Sequence, residues 1–103
     1  MYSIEQAKKI VYDYINKPPK YNYPDDPNYE CQISNIEEKD YGWIFSYQSK
    51  PYLETGDIQY ACVGTSPIIF EKETGRLVLL ASNRHPDYFI DLYEKGEWNV
   101  YAE

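Results

Sequence analysis

The spacing of apolar residues changes several times along the chain, and each change marks a different element. Ile4, Ala7, Val11, Tyr14 and Ile15 recur at intervals of three and four, with Glu5, Lys8, Lys9 and Asp13 between them. This is the stripe of an amphipathic helix. Ser3 and Gln6 fit a capping box at its start, in which the serine side chain meets the Gln6 amide and the glutamine side chain reaches back. Asn16 and Lys17 lead into Pro18-Pro19, which end the helix because neither ring nitrogen can donate a hydrogen bond.

Residues 18–29 carry four prolines and no apolar period, which predicts a loop. From Glu30 to Lys39 a strand is expected, but Ile33 and Ile36 differ in parity, so a bulge or turn is required at Ser34-Asn35. Asp40-Tyr41-Gly42 is a turn signal. Beyond it Trp43, Phe45 and Tyr47 alternate with Ile44, Ser46 and Gln48, the period of a half-buried strand. Pro51 and Gly56-Asp57 punctuate the next stretch. Ile58 to Val63 reads as a short strand or lead-in that stops at Gly64.

Pro67–Glu71 and Arg76–Leu80 flank Lys72-Glu73-Thr74-Gly75 and predict a compact hairpin, with Gly75 at a positive-φ position. Asn83 or His85 precedes a final helix that has Pro86 in its first turn, Phe89, Ile90 and Tyr93 on one side and Gly96 as its stop. The tail 97–103 fits either an edge strand through Trp98, Val100 and Tyr101 or a loose end.

These elements predict one α+β domain over residues 1–103: a mainly antiparallel sheet of about four strands in the order α-β-β-β-β-α, with both helices packed on one face. Trp43, Phe45 and Tyr47 are expected to face the helices, together with Ile4, Val11, Ile15, Ile69, Leu77 and Leu79.

Composition sharpens this picture in one respect. The mean hydropathy of −0.71 understates packing capacity, because the 43% hydrophobic content includes 13 tyrosines, whose rings fill space while their hydroxyls find water or a partner. Ten basic and 17 acidic residues give a net charge of −7, which repels a phosphate backbone and argues against a nucleic-acid partner. Such a charge either steers association with a basic surface or belongs to an ordinary solvated exterior.

The longest apolar runs, Pro67–Phe70 and Leu77–Ala81, are too short to cross a bilayer, so no membrane association is expected. The opening MYSIEQAKK lacks the layout of a secretory signal, which makes the cytoplasm the expected location. In that compartment Cys31 and Cys62 read as reduced, partly buried thiols.

No constellation in the sequence carries catalysis. His85 is the sole histidine, so a Cys–His pair is the one nucleophile arrangement available, and a surface or capping role explains the same residue. Two isolated cysteines and one histidine lack the spacing of a metal site. The carboxylate pairs Asp25-Asp26 and Glu37-Glu38, and Glu71 with Glu73, read as solvated neighbours. Glycines 42, 56, 64, 75 and 96 are dispersed at turns and caps, unlike a phosphate cradle. The expectation is a non-enzymatic protein with no catalytic residue, cofactor or metal.

The stretch Asp40-Tyr-Gly-Trp-Ile-Phe-Ser-Tyr-Gln-Ser-Lys-Pro-Tyr-Leu-Glu-Thr-Gly-Asp57 resembles the central signature of the immunity protein 35, or YrhB-like, family. Gly64-Thr-Ser-Pro-Ile-Ile-Phe70 and the acidic hairpin with Thr74-Gly75 extend the likeness, as do the first and last helices. The resemblance implies an α+β domain encoded beside bacterial polymorphic toxins that protects the producing cell by binding a cognate toxin, papain-like peptidases among them. It also takes in a chaperone-like member, so a chaperone-like or general protein-binding module is the alternative, with a small enzyme acting on a metabolite as the third reading. Gly42, Trp43, Tyr47, Gly64 and Pro67 match as turn, core and strand-start residues.

For a partner surface, the sequence offers the Tyr/Asp loop at 20–29 and the neighbouring 52–57 segment. Tyr21, Tyr23, Asp25, Asp26, Tyr29, Tyr52, Glu54 and Asp57 place rings beside carboxylates, which suits a basic rim around a toxin cleft. The competing role for each of these rings is to fold over the sheet as part of the core.

Overall fold

The computed structural model of the protein describes residues 1–16, 30–57 and 66–102. In chain order the elements are α1 (Ile4–Ile15), β1 (Cys31–Lys39), β2 (Gly42–Ser49), α2 (Lys50–Thr55), β3 (Ile68–Glu71), β4 (Leu77–Leu79) and α3 (Pro86–Glu94). The strands form one antiparallel sheet in the order β1-β2-β3-β4. The α+β class and the order of strands and terminal helices are those expected from the sequence. The short α2 is an addition: its Pro51 lies in the first turn and Gly56, at φ 72, ends it. The Ile58 to Val63 segment and Cys62 lie outside the described residues.

Helix α1 starts as the capping box requires, with the Ser3 amide donating to Gln6 Oε1 at 2.9 Å and the Gln6 amide to Ser3 Oγ at 3.2 Å. Its stripe buries Ala7, Val11 and Ile15. The β1–β2 register slips between Ile33 and Asn35. The extra residue is Ser34, and this bulge lets Ile33 and Ile36 both pack toward α1 despite their opposite parity.

Both faces of the sheet are apolar, and each has its own helix. Phe45, Ile68, Phe70 and Leu77 pack with Ala7, Val11 and Ile15 of α1, with Trp43, Tyr47 and Leu79 at the margin. The intervening residues Ile44, Ile69, Val78 and Leu80 pack with Phe89 of α3 and with Ile90, Tyr93 and Trp98. Side chains alternate between faces along a strand, so α1 and α3 lie on opposite sides. This corrects the expected placement of both helices on one face and moves Ile69 to the α3 side. The tail adds a partial edge strand: the Leu79 amide donates to the Val100 carbonyl at 2.8 Å and the Ala102 amide to the Leu77 carbonyl at 2.9 Å.

The turn into β2 depends on Gly42. Its φ is 152, and an added Cβ would lie 1.8 Å from the Phe70 carbonyl oxygen of the neighbouring strand. Gly42→Ala should therefore cost at least about 2 kcal/mol, since strain and a backbone clash act together. Within the α1-side core, Phe45 is fully buried whereas Trp43 is partly exposed. Phe45→Ala should cost about 3 to 5 kcal/mol and Trp43→Ala clearly less. Urea denaturation of the three variants checks this through the midpoint at unchanged slope, and equal midpoints for the Phe45 and Trp43 variants would refute the assigned core.

Candidate functional site

Two corners of the sheet concentrate aromatic and acidic side chains. At the first, β2 runs directly into α2. Ser49, buried completely, caps α2 by accepting the Tyr52 amide on its hydroxyl at 3.2 Å. The Gly56 amide closes the far end on the Tyr52 carbonyl at 2.7 Å, and Thr55 Oγ1 donates to the Pro51 carbonyl while accepting the Asp57 amide. This compact turn holds Tyr52 half-buried and leaves Leu53, Glu54 and Asp57 exposed. Lys50 Nζ stands 3.7 Å from Glu30 and 4.0 Å from Glu54.

The end of α1 joins the same corner. The Asn16 side chain accepts the Cys31 amide at 2.9 Å and donates to the Cys31 carbonyl at 3.0 Å. Tyr12 donates its hydroxyl to Glu30. Of the eight sequence-derived partner residues, the structure thus places Tyr52 and Glu54 in α2 and Asp57 just past its end, with Glu54 linked to Glu30 through Lys50. Tyr21, Tyr23, Asp25, Asp26 and Tyr29 lie outside the described residues. Asn16 and Glu30, the residues that bracket 17–29, both reach this corner.

The second corner lies at the opposite end of β2 and was not singled out in the sequence. The antiparallel register sets Gly42 beside Glu71, which brings the 40–42 turn, the β3–β4 turn and α3 together. Glu71 Oε2 accepts the hydroxyls of Tyr93 at 2.6 Å and Tyr101 at 2.9 Å, and Oε1 accepts that of Thr74 at 2.8 Å. Tyr41 donates to Glu94 at 2.7 Å and meets Tyr93 edge-to-face at 5.0 Å. Lys39 Nζ lies 3.9 Å from the same Glu94. Asp40, Tyr41, Glu71, Glu73, Thr74 and Tyr93 line an open depression of about 380 Å³.

Burial is the largest influence on Glu71 and opposes its charge, but the three hydroxyls and the Arg76 guanidinium together outweigh it and hold its pKa below the ordinary carboxylate value. Burial and then the Glu71 carboxylate push the Tyr93 phenol well above its usual range. Burial and then Glu94 do the same to Tyr41. Each phenol is thus held as a hydrogen-bond donor to a carboxylate of the domain itself. His85 caps α3, its Nδ1 accepting the Asp87 amide at 3.2 Å. Among the described residues no group of three or more His, Cys, Asp and Glu side chains is arranged to hold a metal ion, and no helix is long and apolar enough to cross a membrane.

The fold therefore defines a small α+β domain with two polar corners at opposite ends of β2. The chain belongs to the immunity protein 35 family, whose model matches residues 5–93, a span that runs from α1 to Tyr93 of α3 and takes in the α2 corner and, of the second corner, all but Glu94 and Tyr101. It is also similar to the uncharacterized protein YrhB of Escherichia coli (strain K12), at 27% identity over 73 residues that cover 71% of this chain and 78% of that protein. No solved structure matches the chain.

The shifted groups make stability depend on pH at both extremes. Glu71, whose folded pKa is lowered, contributes stability above the ordinary carboxylate pKa that is lost as pH falls through its folded value. Tyr93 and Tyr41, whose folded pKa values are raised, contribute stability that is whole below the ordinary phenol pKa and lost as pH rises toward the raised values. Denaturation midpoints across pH should fall more shallowly on the acid side in Glu71→Gln than in the parent, and more shallowly on the alkaline side in Tyr93→Phe. Parallel profiles would contradict the assigned environments.

Proposed function

We propose that this protein is a non-enzymatic immunity protein of the cytoplasm that binds and neutralises a toxin made by the same bacterial cell. The observation that carries this reading is the family match across residues 5–93. An inhibitor that occludes a cleft needs shape, affinity and charge complementarity but no chemistry of its own. The toxin class we favour is a papain-like peptidase, which the resemblance to the family suggests.

For the contact surface we favour the 52–57 segment at the α2 corner, together with the Tyr and Asp residues of 20–29. Tyr52 is half-buried there while Glu54 and Asp57 are exposed, so a ring and carboxylates are presented on a rigid turn. Turn and loop residues can change without disturbing the sheet, which suits a surface that must match one partner and reject others. The net charge of −7 favours encounter with a basic rim.

Coexpression with the toxin encoded beside it should restore growth and yield a stable complex. Growth arrest despite full expression of the protein would overturn the proposal. Suppressed aggregation of unrelated proteins with no cognate complex would instead favour a chaperone-like role. Within the complex, replacing Asp25 and Asp26 by Lys should slow association roughly tenfold at low salt and flatten its salt dependence. Tyr23→Ala should chiefly speed dissociation. Kinetics unchanged in both variants, measured by surface-based binding with the fold intact, would move the interface away from residues 20–29.

A further inference from the structure

After α3 the chain reverses at Gly96, which takes φ 78, and runs back along the outer edge of β4. Trp98 anchors the start of this return: its indole N–H donates to the Leu79 carbonyl at 2.9 Å and its ring packs on Phe89 at 4.8 Å. Beyond Trp98 the attachment is thinner, with Tyr101 packed against the α3-side core and Ala102 against the α1-side core. Among the described residues the backbone makes the Leu79-to-Val100 and Ala102-to-Leu77 bonds around one bridge, Val78 with Tyr101. Asn99 and Val100 are exposed. A ladder this short does not hold a strand in water unaided, so side chains must complete the attachment.

Tyr101 supplies them. Its hydroxyl donates to Glu71 Oε2 at 2.9 Å, and the Arg76 guanidinium sits 3.7 Å over its ring. Glu71 in turn accepts from Tyr93 on α3 and from Thr74 in the β3–β4 turn. A single carboxylate thus ties together the tail, the last helix and the hairpin. Its acceptance of three hydroxyls is charge-assisted, which makes it the strongest polar attachment this short segment has.

We propose that residues 99–102 form a strap that opens from β4 as a unit, without global unfolding, and that Glu71 is its latch. The strap covers the outer edge of Leu77–Leu79, so its release bares backbone donors and acceptors able to template an incoming extended segment. Such local opening lies at the low end of a domain's range of opening free energies, where few buried contacts and short ladders place it. The strap lies beyond the 5–93 span that matches the family model, while its latch Glu71 lies within it.

Residue-resolved hydrogen exchange on the full chain tests this. In Glu71→Gln the amides of Leu79 and Ala102 should exchange about tenfold faster or more, as expected for loss of a charge-assisted hydrogen bond, while those of the β1–β2 ladder change far less. Unchanged rates at Leu79 and Ala102, or an equal acceleration across the whole sheet, would overturn the proposal. Tyr101→Phe leaves the Tyr93 bond to Glu71 in place and serves if the Glu71 variant does not fold. It should accelerate the same two amides and spare those of α3; matching acceleration in strap and helix would show that the two open together and that no separate strap exists.

Discussion

A four-stranded sheet that is apolar on both faces must be covered twice, and this requirement organises the whole molecule. Phe45, Phe70 and Leu77 point one way while Ile44, Ile69 and Val78 point the other. A helix on one side alone would leave the second set in water, at about 25 cal/mol for every Å² left exposed. The chain meets the demand by placing α1 before the sheet and α3 after it, one to a face. Trp98 and Tyr101 extend the second cover, since α3 leaves room beside it over β4. The position of the tail therefore follows from the sheet being two-sided.

The same geometry explains why tyrosine and acidic residues are abundant together. At the margins of each apolar layer a ring can pack inward while its hydroxyl reaches a carboxylate at the wet edge. On the α3 side this arrangement recurs as Tyr41 with Glu94 and as Tyr93 and Tyr101 with Glu71, while the exposed Tyr12 makes only the polar half of it, to Glu30. Each pair joins segments distant in sequence: helix to strand, turn to helix, tail to strand. Part of the acidic charge is thus engaged in holding the domain together. A reading of composition that assigns every Tyr and Asp or Glu to a partner surface overcounts what is available for recognition.

Local signals in the sequence were read correctly where one residue type forces one geometry. The capping box at Ser3, the bulge needed to reconcile Ile33 with Ile36, Gly75 in the hairpin and Pro86 in the first turn of α3 all stand as expected. The facing of α3 was misjudged because β2, with Ser46 and Gln48, reads as half-buried. The better signals were Ile68-Ile69-Phe70 and Leu77-Val78-Leu79-Leu80, continuous apolar runs that mark strands covered on both sides. The clasp at Glu71 was not legible in the same way, since Tyr41, Glu71, Tyr93 and Tyr101 are separated by 8 to 30 positions and meet only through strand register and the reversal at Gly96. The α2 corner is half legible: Pro51 and Gly56-Asp57 mark a punctuated segment that holds Tyr52, Glu54 and Asp57, whereas the Ser49 cap folds it into a helix.

The two polar corners stand far enough apart to serve different ends. β2 spans the distance between them, from Gly42 at the clasp to Ser49 at the α2 cap, and seven residue steps of about 3.3 Å separate the two ends by roughly 23 Å. Salt at physiological strength screens charges beyond about 8 Å. Acidic residues at the α2 corner therefore exert little force on the Glu71 carboxylate, and altering their sign leaves the clasp's hydrogen bonds undisturbed. The interaction surface proposed at the α2 corner can thus change its charge while the opposite corner keeps tail, helix and hairpin joined. The rigid sheet between them transmits position but almost no electrostatic field, which leaves the fold tolerant of the changes that recognition demands.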